Sequence, residues 1–395
     1  MRDRLAQQVL AKVMGWEQER LRDEQDLLQT LAGYKYDAYE NFEPGVKFVE
    51  TLSEWLAQFA PEDREIAYGF VRERLIFVSA AEMAHLVRSL YPDVIRPVIR
   101  QAAAADLRAS PYEVARVENS PAFAQALRRS LFLGLSDGAR MDAFRRSSPD
   151  LDNEQVHAIY GLPESKLAEM QEELADALKD LSGSASNNSD ATFRFVFLID
   201  DFAGTGTTMI RRKKDGTWTG RLKKISDELA LACKAGVFDP KHVNVYVCLY
   251  IVTAEALEHF ERELRAFENE GGAAWQRCEI LAVQRLGDEI PIRRGQDADF
   301  DAFLDRYYSQ ELEDKKSYKV GGKGIKYGYG ACGLPLIVHH NTPNNSLYIL
   351  WKDGTERCPV TPLFRRFERH RKPVDDDETS AVRAATVDDA HGAGT

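Results

Sequence analysis

Asp200 and Asp201 stand side by side, and the chain continues at once with Ala203, Gly204, Thr205, Gly206, Thr207 and Thr208. Adjacent carboxylates can accept hydrogen bonds from sugar hydroxyls or share a Mg²⁺ ion with phosphate oxygens. The small residues let the backbone pass close to a ligand, and the threonines add hydroxyl donors and a helix cap. Backbone N–H groups at such a helix start form a cradle for a phosphate. Carboxylates beside a phosphate cradle suit a phosphorylated sugar.

Those side chains need a platform. Residues 193–199, FRFVFLI, are aromatic and β-branched, the composition of a buried strand that brings the acid pair to its carboxyl edge; the residues after the loop can start a helix. Upstream, SLFLGLSDGARMDAFRRSSPDL repeats the pattern: LFLGL is a short strand, SDGAR a tight polar turn, and MDAFRR a helix ending before Pro149. Downstream, VNVYVCLYIV and CEILAVQRL read as buried strands, each preceded by an amphipathic helix. Strands separated by such helices imply an α/β fold with a mostly parallel sheet, whose ligand lies at the carboxyl edge of the strands.

Spelled as spacing, the acidic stretch is DDxxxTGxT after a strand, and it resembles the phosphoribosyl-pyrophosphate loop of type I phosphoribosyltransferases. Asp-Asp also ends the Mg²⁺ strand of P-loop NTPases, but no GxxxxGK followed by Ser or Thr occurs here. The resemblance covers roughly residues 130–351. It implies that Ala203, Gly204, Thr205, Gly206, Thr207 and Thr208 hold the phosphate and ribose, and that Ser136, Asp137, Gly138, Ala139 and Arg140 surround the pyrophosphate. Asp200, Asp201 and Arg140 would then be the catalytic groups, with Asp200 and Asp201 at a Mg²⁺ ion. The helical front end together with GLSDGAR, LIDDFAGTGTT and HHNTPNNS looks most like bacterial phosphoribosyltransferase-like proteins of antiviral conflict systems, some beside reverse transcriptases.

The implied reaction is Mg²⁺-dependent transfer of a phosphoribosyl group between pyrophosphate and a nucleobase or amine nitrogen. The implied ligand is phosphoribosyl pyrophosphate or a nucleotide. The rival is a protein that senses a nucleotide in the same pocket and controls a partner without turnover. One departure from the family bears on this choice. Many type I enzymes carry a strand hairpin with a mobile catalytic loop between the two phosphate loops, whereas NEQVHAIYG and SKLAEMQEELADALKDL read as helical here.

Other stretches add candidates. In GKGIKYGYGACGLPLIVHHNTPNNSLYILW, Tyr329, His340 and Asn341, with Tyr327, His339 and Asn344, could recognise a base by stacking and edge hydrogen bonds, or simply cap the sheet. Lys319, Lys323 and Lys326 lie in a glycine-rich run that could form a lid. His339 and His340 are expected on opposite faces of a strand, and LYILW is expected as a further strand. RRKKDGTWTGRLKK signals a hairpin at Asp215-Gly216 with basic side chains clustered around it, which could reach across the site towards pyrophosphate or a nucleic acid but are read first as an exposed, soluble insertion.

Residues 1–129 read as a mainly helical domain, a cap or partner-binding unit. Helix, helix, the short strand LIFVS and a helix capped by Ser79 invite a winged-helix comparison. Arg72, Arg74, Arg88, Arg96 and Arg100 are interleaved with Glu65, Glu73, Glu82 and Asp93, which favours a mixed solvated surface over a nucleic-acid face. Residues 130–370 are expected to form the phosphoribosyltransferase-like domain, and the charged stretch 371–395, without periodicity, is expected to be a disordered tail.

Composition bounds the rest. With 395 residues and 44% hydrophobic content the chain can bury a sizeable core, and a net charge of −11 argues against coating nucleic acid. The five cysteines form no Cys-x-x-Cys pair. No apolar run reaches a membrane span and MRDRLAQQ is not a secretory signal, so a cytoplasmic protein without membrane contact is expected.

Overall fold

The computed structural model describes residues 3–161, 163–182, 191–313, 324–355 and 357–367; the stretch 371–395, expected as a tail, lies outside them. Its strands are β1 (Ile76–Val78), β2 (Ser130–Gly134), β3 (Val156–His157), β4 (Phe195–Ala203), β5 (Arg211–Arg212), β6 (Trp218–Thr219), β7 (Asn244–Thr253), β8 (Arg277–Leu286) and β9 (Leu336–Val338). Five of them form a parallel sheet in the order β3-β2-β4-β7-β8. The expected α/β architecture with a helical N-terminal region is therefore present.

Alternation along the strands feeds two cores. Leu131, Leu133, Val196, Leu198, Val245 and Val247 pack with Met170, Leu174, Ile225, Leu229, Phe260 and Phe267 from helices Glu164–Ser182, Arg221–Lys234 and Ala254–Asn269. The intervening residues Phe132, Phe197, Ile199, Tyr246 and Cys248 join Met83, Ile95, Ile99 and Phe144 in the other core. Across β2, β4 and β7, the registered rings of Phe132, Phe197 and Tyr246 stack at centroid distances of 5.2 and 5.1 Å. Such pairs are worth about 0.5–1.5 kcal/mol each beyond their burial.

The topology creates a crevice. From β2 the chain runs through helix Met141–Arg146, in the second core, to the edge strand β3; it then returns to β4 on the other side of β2. From β4 it runs through helix Arg221–Lys234, in the first core. The connections after β2 and β4 thus leave towards opposite faces, which is the condition for a ligand crevice between them.

A third core joins the first 77 residues to residues 292–364. Leu10, Leu28, Phe48, Trp55, Tyr68 and Phe77 bury with Phe300, Phe303, Leu347, Leu350 and Phe364. Strand β1 pairs in parallel with β9, far along the chain, so the helix-strand-helix order at the front does not build a winged helix.

Several local expectations are corrected. NEQVHAIYG contains a 3₁₀ turn, Asn153–Gln155, and the edge strand β3, because Val156 and His157 find a free ladder beside Phe132 and Leu133. LYILW is a helical turn, Tyr348–Trp351, buried all round, where a short apolar run carries no period to separate helix from strand. The first helical stretch breaks at Gly15, at φ 68°, into Asp3–Met14 and Gln18–Tyr34. The Ser79 cap forms as a full capping box with Glu82. Arg72, Arg96 and Arg100 are ion-paired with Glu24, Glu118 and Asp150, as a mixed surface requires. No described helix is long and apolar enough to cross a membrane.

Candidate functional site

The acid pair lies inside β4 rather than at its tip. The strand continues through Phe202 and Ala203, which pair with Ile251 and Val252. Asp200 is 2% exposed and accepts hydrogen bonds from Ser136 Oγ and Arg221 Nη1. Asp201 accepts from His340 Nε2 at 3.0 Å. Burial, with the neighbouring Asp201 charge, pushes the Asp200 carboxyl up to about 7 against the opposing pull of Arg221. Burial also acts to raise Asp201, but its hydrogen bond with His340 holds it below the usual carboxylate range.

The Ser-Asp-Gly turn sits directly against this pair. A Cβ on Gly138 would lie 2.3 Å from Asp201 Oδ2, so only glycine allows the carboxylate and the turn to meet. Beneath both loops runs β7. Its Tyr250 hydroxyl donates to Ala139 O at 2.6 Å, and its Thr253 hydroxyl donates to Gly204 O. The two stretches singled out from the sequence are therefore neighbours at the crevice between β2 and β4.

Arg140 has a left-handed backbone, φ 50° and ψ 41°, which costs a residue with a Cβ about 1–2 kcal/mol. Its Nη2 donates to His339 Nε2 at 3.0 Å and lies 3.6 Å from the Glu40 carboxylate. Arginine can only donate, so His339 is the tautomer protonated on Nδ1. Burial, then the nearby charges of His340 and Arg140, lower its pKa to about 4 and keep it neutral. Rather than diverging from a strand, His339 and His340 lie in a turn just past β9, with ring centroids 5.1 Å apart.

The phosphate loop departs from expectation in one respect. Thr205, Thr207 and Thr208 cap no helix, because the hairpin of β5 and β6 intervenes before helix Arg221–Lys234. That helix docks back onto the loop, Arg221 N–H to Thr208 O at 3.2 Å and Leu222 N–H to Met209 O at 2.9 Å. Backbone amides of residues 205–208 donate to no acceptor among the described residues. Gly204 is covered by the Asn345 side chain, which a Cβ would meet at 2.5 Å. A cavity of about 230 Å³ opens where Thr205 and Thr207 face Tyr329, Gly330 and the start of helix Ala254–Asn269.

The base-recognition candidates scatter. His340 is in the site, and Tyr329 reaches the loop through Thr207 at 3.4 Å. Asn341 instead brackets the backbone of Phe367, Tyr327 bonds to Asp301, and Asn344 contributes its carbonyl to Tyr329 N–H. Lys326 is paired with Asp305, while Lys319 and Lys323 lie outside the described residues. No cluster of three or more His, Cys, Asp or Glu side chains among the described residues could hold a metal by itself.

Two partners of the site were not singled out by the sequence. Arg221 was hidden in a basic run read as solvated, yet a cation in the first turn of a helix opposes the dipole and signals an acidic partner. Glu40 carried no local signal.

The model of one protein family, PRTase-CE, matches residues 52–366. No curated protein and no solved structure matches the chain.

Proposed function

The chain belongs to the PRTase-CE family and is phosphoribosyltransferase-like, and from that premise we propose that it binds phosphoribosyl pyrophosphate or a nucleotide and transfers the phosphoribosyl group to or from a nucleobase or amine. The observation that carries this reading is the meeting of the two loops, Ser136 on Asp200 and Gly138 against Asp201, at the switch point of the sheet. The free amides of residues 205–208 suit the 5′-phosphate, and Arg140 with its turn suits the pyrophosphate.

Breaking the bond at the anomeric carbon leaves an oxocarbenium-like sugar and a departing polyanion. Arg140 and the amides of the Ser-Asp-Gly turn stabilise that leaving group as its charge grows, and Asp200 and Asp201 hold the ribose hydroxyls. Asp200 and Asp201 are the carboxylates that would stand beside a Mg²⁺, and their existing bonds to Arg221 and His340 mean that they would do so as neighbours of its phosphate-bound shell rather than as a protein cage. When bound, that ion would neutralise charge on the pyrophosphate.

In calorimetry with phosphoribosyl pyrophosphate and Mg²⁺, Asp200→Asn combined with Asp201→Asn should abolish binding while circular dichroism remains native. Unchanged affinity rejects the assigned site. The second reading, a sensor without turnover, draws support from the capping of both carboxylates by Arg221 and His340. Labelled ligand incubated with a panel of bases separates the two, since an enzyme releases pyrophosphate and a sensor retains its ligand. An effector role in antiviral defence is proposed on the narrower resemblance of the sequence.

A further inference from the structure

We propose that Arg221 is a ligand-contacting residue, the cation that holds the 5′-phosphate of a ribose phosphate on the loop of residues 204–208, while Arg140 serves the pyrophosphate end. The proposal rests on the functional reading above and adds to it a residue from outside both motifs.

The geometry is specific. Arg221 begins helix Arg221–Lys234 beside the loop, its N–H on Thr208 O, and its side chain spans from there to Asp200. Only Nη1 is occupied; Nε and Nη2 have no acceptor among the described residues, and the side chain is 33% exposed. A guanidinium anchored by one nitrogen to a buried carboxylate is held rigid, with its remaining donors directed by that anchor. The loop on which the Arg221 backbone docks carries, at residues 205–208, amides that are unpaired among the described residues. The positive end of the helix adds to the same field, so the arrangement favours an anion between guanidinium and loop. A solvated lysine-rich insertion would need neither the anchor nor the docking of its helix onto Thr208.

Two probes measured separately by calorimetry test the assignment: ribose 5-phosphate and inorganic pyrophosphate. Arg221→Gln should weaken ribose 5-phosphate by about tenfold or more, the loss of a charge-assisted hydrogen bond, and leave pyrophosphate within about twofold. Arg140→Gln should do the reverse. Retained pyrophosphate affinity also certifies the fold of the Arg221 variant. If Arg221→Gln loses both probes, Arg221→Lys decides: weakened ribose 5-phosphate with normal pyrophosphate supports the proposal, and wild-type affinity for both overturns it. Unchanged ribose 5-phosphate affinity in Arg221→Gln, with pyrophosphate lost in Arg140→Gln, overturns the role of Arg221 alone. Failure of both probes to bind the wild type overturns the underlying reading.

Discussion

His339 shows how single residues are tuned in this crevice. It is buried, it accepts a hydrogen bond from Arg140, and its pKa falls to about 4. The folded state therefore keeps the ring neutral, whereas the unfolded chain protonates it near 6.5. The resulting stabilisation is complete above pH 6.5 and is lost as the pH falls towards 4. Unfolding of wild type and His339→Gln should accordingly converge by about 2–3 kcal/mol across that window in denaturant titrations. A constant difference would show that His339 titrates normally. Asp200, with its raised pKa, has the opposite slope, losing stability between about pH 4 and 7, but it is common to both proteins and cancels. Glu40 is the counterpart on the exposed side. Its carboxylate shares Arg140 with any incoming anion, so Glu40→Gln should tighten pyrophosphate by up to about fivefold, the worth of an exposed ion pair. Weaker binding would instead make Glu40 a support for Arg140.

Among elements, the strand-loop units were the most legible in the sequence, since β2 and the first half of β4, Phe195–Ile199, are apolar runs followed by turns that contain glycine. The resemblance implied that the two loops serve one ligand; in the fold they also touch, with Gly138 against Asp201. Gly138→Ala should push Asp201 and the Ser-Asp-Gly turn apart, and we expect pyrophosphate and phosphoribosyl pyrophosphate binding to fall together while the far-ultraviolet spectrum is retained. Normal binding would show that the contact yields without cost. The hairpin of β5 and β6 was legible from Asp215-Gly216, but its effect was not: it displaces the helix from the phosphate loop and then returns Arg221 to Asp200. Periodicity assigns faces within an element and is silent about which distant side chain meets which. For the same reason Asn341 and Tyr327, polar and aromatic in a suggestive stretch, turn out to serve the backbone of Phe367 and the carboxylate of Asp301.

At the scale of the whole molecule the leading helices and residues 292–364 share one core. Phe364 is fully buried, with ring centroids of Tyr39, Phe48 and Phe77 between 5.2 and 5.7 Å away. Phe364→Ala should cost about 3–5 kcal/mol in urea unfolding, as expected for an aromatic side chain removed from a close-packed core. A loss under 1 kcal/mol would mean that this core is loosely filled. No pattern in the sequence foretold this core, because it is assembled from contacts hundreds of residues apart. Beside Phe364, Tyr39 bonds to Thr342 at 2.9 Å and to the carbonyl of Arg365 at 2.7 Å; Glu40 N–H bonds to the carbonyl of His339, and Asn41 to that of His340. The three residues Tyr39, Glu40 and Asn41 thus stitch the leading segment to the backbone of the very imidazoles that touch Arg140 and Asp201, so the front of the chain is part of the scaffold on which the crevice is built.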